Sequence, residues 1–140
     1  MAPEFIDHVA RLLARQGSRR ATVGVLVTVA AEQVWGSRIV RAKSCKYKDV
    51  DQKRILRYIR RAAKKYNQSK KAMERVARCE SNLDPCAVNK KGPYYGLFQY
   101  LKSTWKNTPY GNHDIFDPKA QALATAWKWK KGEKNEWACQ

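Results

Sequence analysis

The sequence predicts a mainly α fold, α+β at most, in a single domain. Three stretches carry apolar residues at helical spacing: Asp51 to Tyr66, Lys70 to about Ser81, and Pro118 to about Lys131. The chain has 140 residues, which supports one core once a leader is set aside. No internal repeat, low-complexity linker or phosphate-binding glycine loop suggests a second unit.

The N-terminal residues read as an export leader. Ala21 to Ala31 is a run of eleven uncharged residues, preceded by Arg19 and Arg20 and closed by Val29-Ala30-Ala31. That is the basic, apolar and small-residue order of a secretory signal, so residues 1–31 are expected to be a signal peptide, with cleavage leaving Glu32 first. The run is too short to span a bilayer comfortably as a permanent helix. A competing reading stands beside this one. Glu4 and Asp7 interrupt the n-region, and Phe5, Val9, Leu12 and Leu13 fall at helical spacing, so the first 16 residues also read as an amphipathic helix. Ser18-Arg19-Arg20 matches only a fragment of a twin-arginine signal.

Residues 32–50 read as a basic linker and residues 51–140 as the domain. From Arg38 to Arg75 there are fifteen Lys or Arg against Asp49, Asp51 and Glu74, so +12 of the chain's +17 lies there. Such a surface attracts polyanions, whether anionic polymers, lipids or nucleic acid, and is equally the wet face of a soluble enzyme.

In the first helix Ile55, Leu56, Ile59, Ala62, Ala63 and Tyr66 share a face and the charges take the other. Asn67-Gln68-Ser69 makes a turn, with Ser69 as N-cap of the second helix. Ala72, Met73, Val76 and Ala77 face inward there, and its last turn carries Glu80. In the third, Asp117 is the cap, Pro118 suits the first turn, and Gly132 stops the helix. Ala120, Leu123, Ala124 and Trp127 lie on one face with the Lys128 stem. The alanines are expected to allow close approach to the helix carrying Glu80, with Trp129 on a different face from Trp127.

Four cysteines permit three full pairings. An even count fits an oxidising compartment. Zinc is disfavoured, because no pair shows C-x-x-C spacing and His8 and His113 lie far from the cysteines.

The chemistry concentrates around Cys79-Glu80-Ser81-Asn82, where a glutamate sits as a helix gives way to the turn Leu83-Asp84-Pro85. A partly buried glutamate donates protons well because desolvation disfavours its anion, and the negative end of the helix dipole acts in the same sense. Most glycosidases add a second carboxylate. Asp84, Asp114 and Asp117 are the nearby acids; Asp84 and Asp117 each precede a proline and are more simply read as turn residues, and no second acid stands out. Further on come Tyr94-Tyr95-Gly96-Leu97-Phe98-Gln99 and Ser103-Thr104-Trp105. Glycine lets the backbone approach a ligand, the glutamine amide both donates and accepts, and Tyr94, Tyr95 and Trp105 either stack on sugar faces or pack in the core.

In order and spacing, Glu80-Ser81, Pro85, Ala87, Asn89, then Gly96-Leu97 with Gln99, then Thr104-Trp105 resemble the lysozyme-like domain of soluble lytic transglycosylases. The resemblance implies a single catalytic glutamate, Glu80, with no metal or other cofactor. That residue protonates the bond between N-acetylmuramic acid and N-acetylglucosamine, then acts as base for the sugar's own 6-hydroxyl, giving a 1,6-anhydro product. It implies that Ser81 shapes the helix end, Asn89 contacts the N-acetyl group, and Gly96 and Gln99 meet the sugar. The family's later A-Y-N motif is not evident; Phe116-Asp117-Pro118 to Ala126-Trp127 stands in its place.

Cys79 before the glutamate, Gly92-Pro93-Tyr94-Tyr95-Gly96 before Gln99, and Trp137-Ala138-Cys139 also resemble the resuscitation-promoting factor domain of actinobacteria. This second resemblance covers about the last 70 residues and implies a bond between Cys79 and Cys139, worth ~4 kcal/mol on a chain-entropy view. Cys45 and Cys86 are then left to pair or to remain free.

The expected protein is an exported, monomeric, lysozyme-like enzyme of the cell envelope acting on peptidoglycan. Two other readings share the fold: a hydrolytic muramidase, in which water replaces the 6-hydroxyl, and a non-catalytic module binding the wall or a polyanion. Nucleic-acid binding rests on charge alone and leaves the motifs unexplained.

Overall fold

A computed structural model describes residues 39–139; the leader expected over residues 1–31 lies outside them. Asp51 accepts a hydrogen bond from the Arg54 amide at 2.8 Å and caps helix α1, Gln52–Lys65. Ile55, Ile59, Ala62 and Ala63 form its buried stripe. Asn67 takes a left-handed φ of 54° in the turn that follows, and Ser69 Oγ accepts from the Ala72 amide at 3.2 Å to open α2, Lys70–Ser81. The helix ends at Asn82, also left-handed, whose amide bonds the Arg78 carbonyl at 2.8 Å.

A small antiparallel sheet follows, ordered β1 (Ile39–Arg41), β2 (Ala87–Asn89), β3 (Tyr94–Tyr95). Asn89 stands opposite both Ile39 and Tyr94. Residues 39–50, read from sequence as part of a linker, are thus attached to the domain. β1 fills one edge of the sheet, Arg41 pairs with Asp84 at 3.2 Å, and Cys45 is bonded to Cys86 with Cα atoms 5.6 Å apart. A three-residue strand is too short to show alternation, so sequence periodicity had no purchase on it.

The short helix α3 (Lys102–Lys106) leads to α4 (Pro118–Lys130), where Asp117 accepts from the Lys119 and Ala120 amides at 2.9 and 3.2 Å. α4 is buried nearly all round rather than along one face, and its principal partner is α1, not the glutamate-bearing α2. Small alanines make this possible, because a helix with little side-chain bulk can be enclosed on several sides. The tryptophan in the core is Trp129, while Trp127 is half-buried beneath the Lys131 ammonium.

Gly132, at φ 90°, turns the chain into a 3-10 helix, Glu133–Glu136. The tail then returns to α2, where Cys139 is bonded to Cys79 with Cα atoms 6.0 Å apart. Both disulfides are therefore formed. Trp137, Tyr100 and Phe98 fill the space between tail and loop, with Tyr100 meeting Trp137 and Trp105 edge-on. Among the described residues, no helix is long and apolar enough to cross a membrane.

Candidate active site

The repeat that buries Ala72, Met73, Val76 and Ala77 lands next on Glu80 and Ser81, one turn further along α2. Glu80 is only 7% exposed. A carboxyl group carried on the apolar stripe of its helix is an expensive placement unless it serves a purpose. Ser81 Oγ holds its proton within reach of two carbonyls, Ala77 at 3.1 Å and Leu97 at 2.8 Å. The second contact joins the end of α2 to the loop Gly96-Leu97-Phe98-Gln99.

That loop is pinned from three sides. The Gly96 amide donates to the Ala87 carbonyl at 2.7 Å, fixing it to β2. The Gln99 side-chain nitrogen donates to the Gly96 and Ala87 carbonyls at 2.8 and 3.3 Å, and its backbone is left-handed at φ 55°. Gln99 thus spends its donor group on shaping the loop. From α4, buried Gln121 accepts from the Phe98 amide at 2.8 Å and donates to the Tyr95 carbonyl at 2.9 Å and to the Ile115 carbonyl. Gly96 is required for two reasons: its φ is +79°, and a Cβ there would collide with the Gln121 amide.

Gln121 was missed from sequence, where it is one polar residue in an alanine-rich helix. Trp137 was noticed there only as part of a cysteine motif. Its indole nitrogen donates to the Phe98 carbonyl at 2.9 Å, so the tail also holds the loop.

The expected ligand-contacting residues divide into two groups. Asn89 and Tyr95 are partly exposed: Asn89 Oδ1 accepts from the Lys91 amide at 3.1 Å, and Tyr95 meets Phe116 edge-on with the Lys102 ammonium 5.1 Å from its ring. Tyr94, Thr104 and Trp105 are 4%, 4% and 3% exposed. The Trp105 indole donates to the His113 carbonyl at 3.1 Å and its ring packs on Tyr100, so this aromatic takes the core role. The three nearby acids hold turns or caps: Asp84 Oδ1 accepts from the Cys86 amide, Asp114 Oδ1 from Phe116, and Asp117 Oδ1 from α4. Among the described residues no group of three His, Cys, Asp or Glu could hold a metal ion.

Helices enclosing a central α4, a small antiparallel sheet and a buried glutamate closing α2 together define a lysozyme-like domain. The family model for the transglycosylase SLT domain matches residues 57–135, and the chain belongs to that family. No curated protein and no solved structure matches it. At the level of the family, membership implies lytic transglycosylase chemistry on peptidoglycan. The matched span contains Glu80 and every residue expected from sequence to contact a ligand, and leaves β1, Cys45 and Cys139 outside.

Proposed function

We propose that this domain cuts peptidoglycan glycan strands between N-acetylmuramic acid and N-acetylglucosamine as a lytic transglycosylase, with Glu80 as its single catalytic carboxyl group. The observation that carries the reading is the burial of Glu80 at the end of α2, on a turn tied through Ser81 to the Gly96–Gln99 loop. Low exposure disfavours the anion and supports a carboxylic acid able to donate. Glu80 gives its proton to the glycosidic oxygen as the bond from that oxygen to the sugar's anomeric carbon breaks. The resulting carboxylate takes the proton of the 6-hydroxyl, whose oxygen attacks the anomeric carbon. The 1,6-anhydro ring closes and Glu80 is again protonated.

Asn89 and Tyr95, the accessible members of the set, are assigned to the acetamide and a sugar face. Ser81, Gly96 and Gln99 hold the loop in shape, and Tyr94, Thr104 and Trp105 are buried, with Trp105 packed on Tyr100. An extracytoplasmic setting follows from the substrate and suits a domain with two disulfides.

Glu80→Gln keeps size and removes the transferable proton. With an unchanged circular dichroism spectrum, it is expected to lower digestion of purified peptidoglycan about 10²- to 10⁴-fold; undiminished digestion overturns the assignment. Product masses decide the outcome of the reaction. Anhydro ends, lighter by one water, support transglycosylation, whereas hydrated reducing ends indicate a muramidase. Retention on peptidoglycan with no soluble product from the wild type indicates a binding module.

A further inference from the structure

The outer faces of α1 and α2 carry a charge pattern that the glycan-cleaving reading does not use. On α1, Lys53, Arg57, Arg60 and Lys64 recur at three- and four-residue intervals and all are exposed, so they form one stripe along the helix. On α2, Lys71, Arg75 and Arg78 do the same. Arg60 bonds Glu74 at 2.6 Å, which sets the two stripes side by side and neutralises the one acid between them. Lys71, Arg75 and Arg78 form no ion pair among the described residues. With Glu74 and Cys79 they line an open groove of about 520 Å³.

We propose that this groove binds a linear phosphodiester polymer of the cell wall, threaded along α2. Helical rise places the three free cations about 6 and 4.5 Å apart along the axis. They can meet successive charges of a chain, whereas one compact anion would reach only part of the row. The lining argues against the other polyanions. It contains no aromatic side chain on which a base could stack. Beyond the Cys79 sulfur it contains no apolar side chain to enter a bilayer; the exposed large hydrophobic residue among the described residues, Ile39, lies on β1. The groove runs up α2 to Cys79, the residue before Glu80. The choice of a wall polymer rests on the peptidoglycan reading above, and its role is to hold the enzyme on walls that carry such a polymer.

The test uses synthetic poly(glycerol phosphate) as probe, with phosphatidylglycerol vesicles and a single-stranded oligonucleotide as competing arms. The variant is Lys71→Glu/Arg75→Glu/Arg78→Glu, and the control of equal charge change is Lys90→Glu/Lys91→Glu/Lys106→Glu on other elements. The groove variant is expected to bind the polymer at least tenfold more weakly than the control, with a log–log salt slope smaller by about 2. It is expected to cleave polymer-free glycan strands at the wild-type rate, a readout that moves only if the catalytic reading or the fold has failed. Equal loss in both triple variants overturns the proposal, as does tighter wild-type binding to the vesicles or the oligonucleotide than to the polymer.

Discussion

Ser81 Oγ lies 2.8 Å from the Leu97 carbonyl oxygen, a buried contact sixteen residues apart that fastens the turn bearing Glu80 to the glycine loop. Ser81→Ala leaves that carbonyl without its donor inside the protein, at a cost of about 1–3 kcal/mol. Urea denaturation should show the loss. Turnover on peptidoglycan should fall by more than the unfolded fraction explains, because the glutamate and its loop are no longer held in register. Unchanged stability would show that the contact contributes nothing.

Gln121 bridges Phe98, Tyr95 and Ile115 from inside α4. Gln121→Leu preserves approximate size but strips partners from an amide and two carbonyls, so a loss of about 3 kcal/mol or more is expected. Gly96→Ala should be comparably damaging, through φ +79° and collision with the same amide. Thermal denaturation of both variants checks this.

The aromatic residues should separate by phenotype. Tyr95→Ala, at a partly exposed position, is expected to raise KM with little change in Tm. Trp105→Ala, at 3% exposure, is expected to cost about 3–5 kcal/mol of stability. A purely kinetic effect at Trp105 would contradict its core placement.

Lys128 is 1% exposed and meets Glu133 at 2.6 Å and Glu136 at 3.1 Å. Burial alone would pull the ammonium below its ordinary range, but hydrogen bonds and charge from the two glutamates outweigh it and hold the group above. For Glu133, burial acts upward and is outweighed by Lys128 and Lys131, leaving the carboxyl below its ordinary value of 4.5. The Glu133 contribution is therefore present above pH 4.5 and lost as pH falls through its lowered folded value. The Lys128 contribution is full below pH 10.5 and lost as pH rises through its raised one. Glu133→Gln/Glu136→Gln removes both countercharges from a buried cation and should cost about 3–5 kcal/mol, whereas Lys128→Met should come close to neutral. Tm against pH for the three proteins tests both the signs and this asymmetry.

Each disulfide closes a long loop, 60 residues for Cys79–Cys139 and 41 for Cys45–Cys86, worth ~4 kcal/mol apiece on the chain-entropy view. The two should differ in function. Cys139→Ser frees the tail whose Trp137 supports the Phe98 carbonyl, so activity should fall with stability. Cys45→Ser/Cys86→Ser acts through the sheet edge and should lower stability with a smaller effect on turnover per folded molecule.

Local residue patterns were enough to specify the helices and their caps. Asp51, Ser69 and Asp117 each accept from amides two or three residues ahead, because capping is a contact within one turn and needs no tertiary context. Apolar spacing likewise placed Glu80 on the last turn of α2, and the motif order pointed to the family. Packing between distant segments settled the remainder. Periodicity could not show that α4 is enclosed on most sides, that Trp129 rather than Trp127 is core, or that residues 39–41 complete a sheet with a partner nearly fifty residues away. Nor could it show that Gln99 turns its donor to the backbone while Gln121, from another helix, holds the loop. Those outcomes are set by buried amides and carbonyls that must find partners wherever the packed chain offers them, and such partners are distant in sequence.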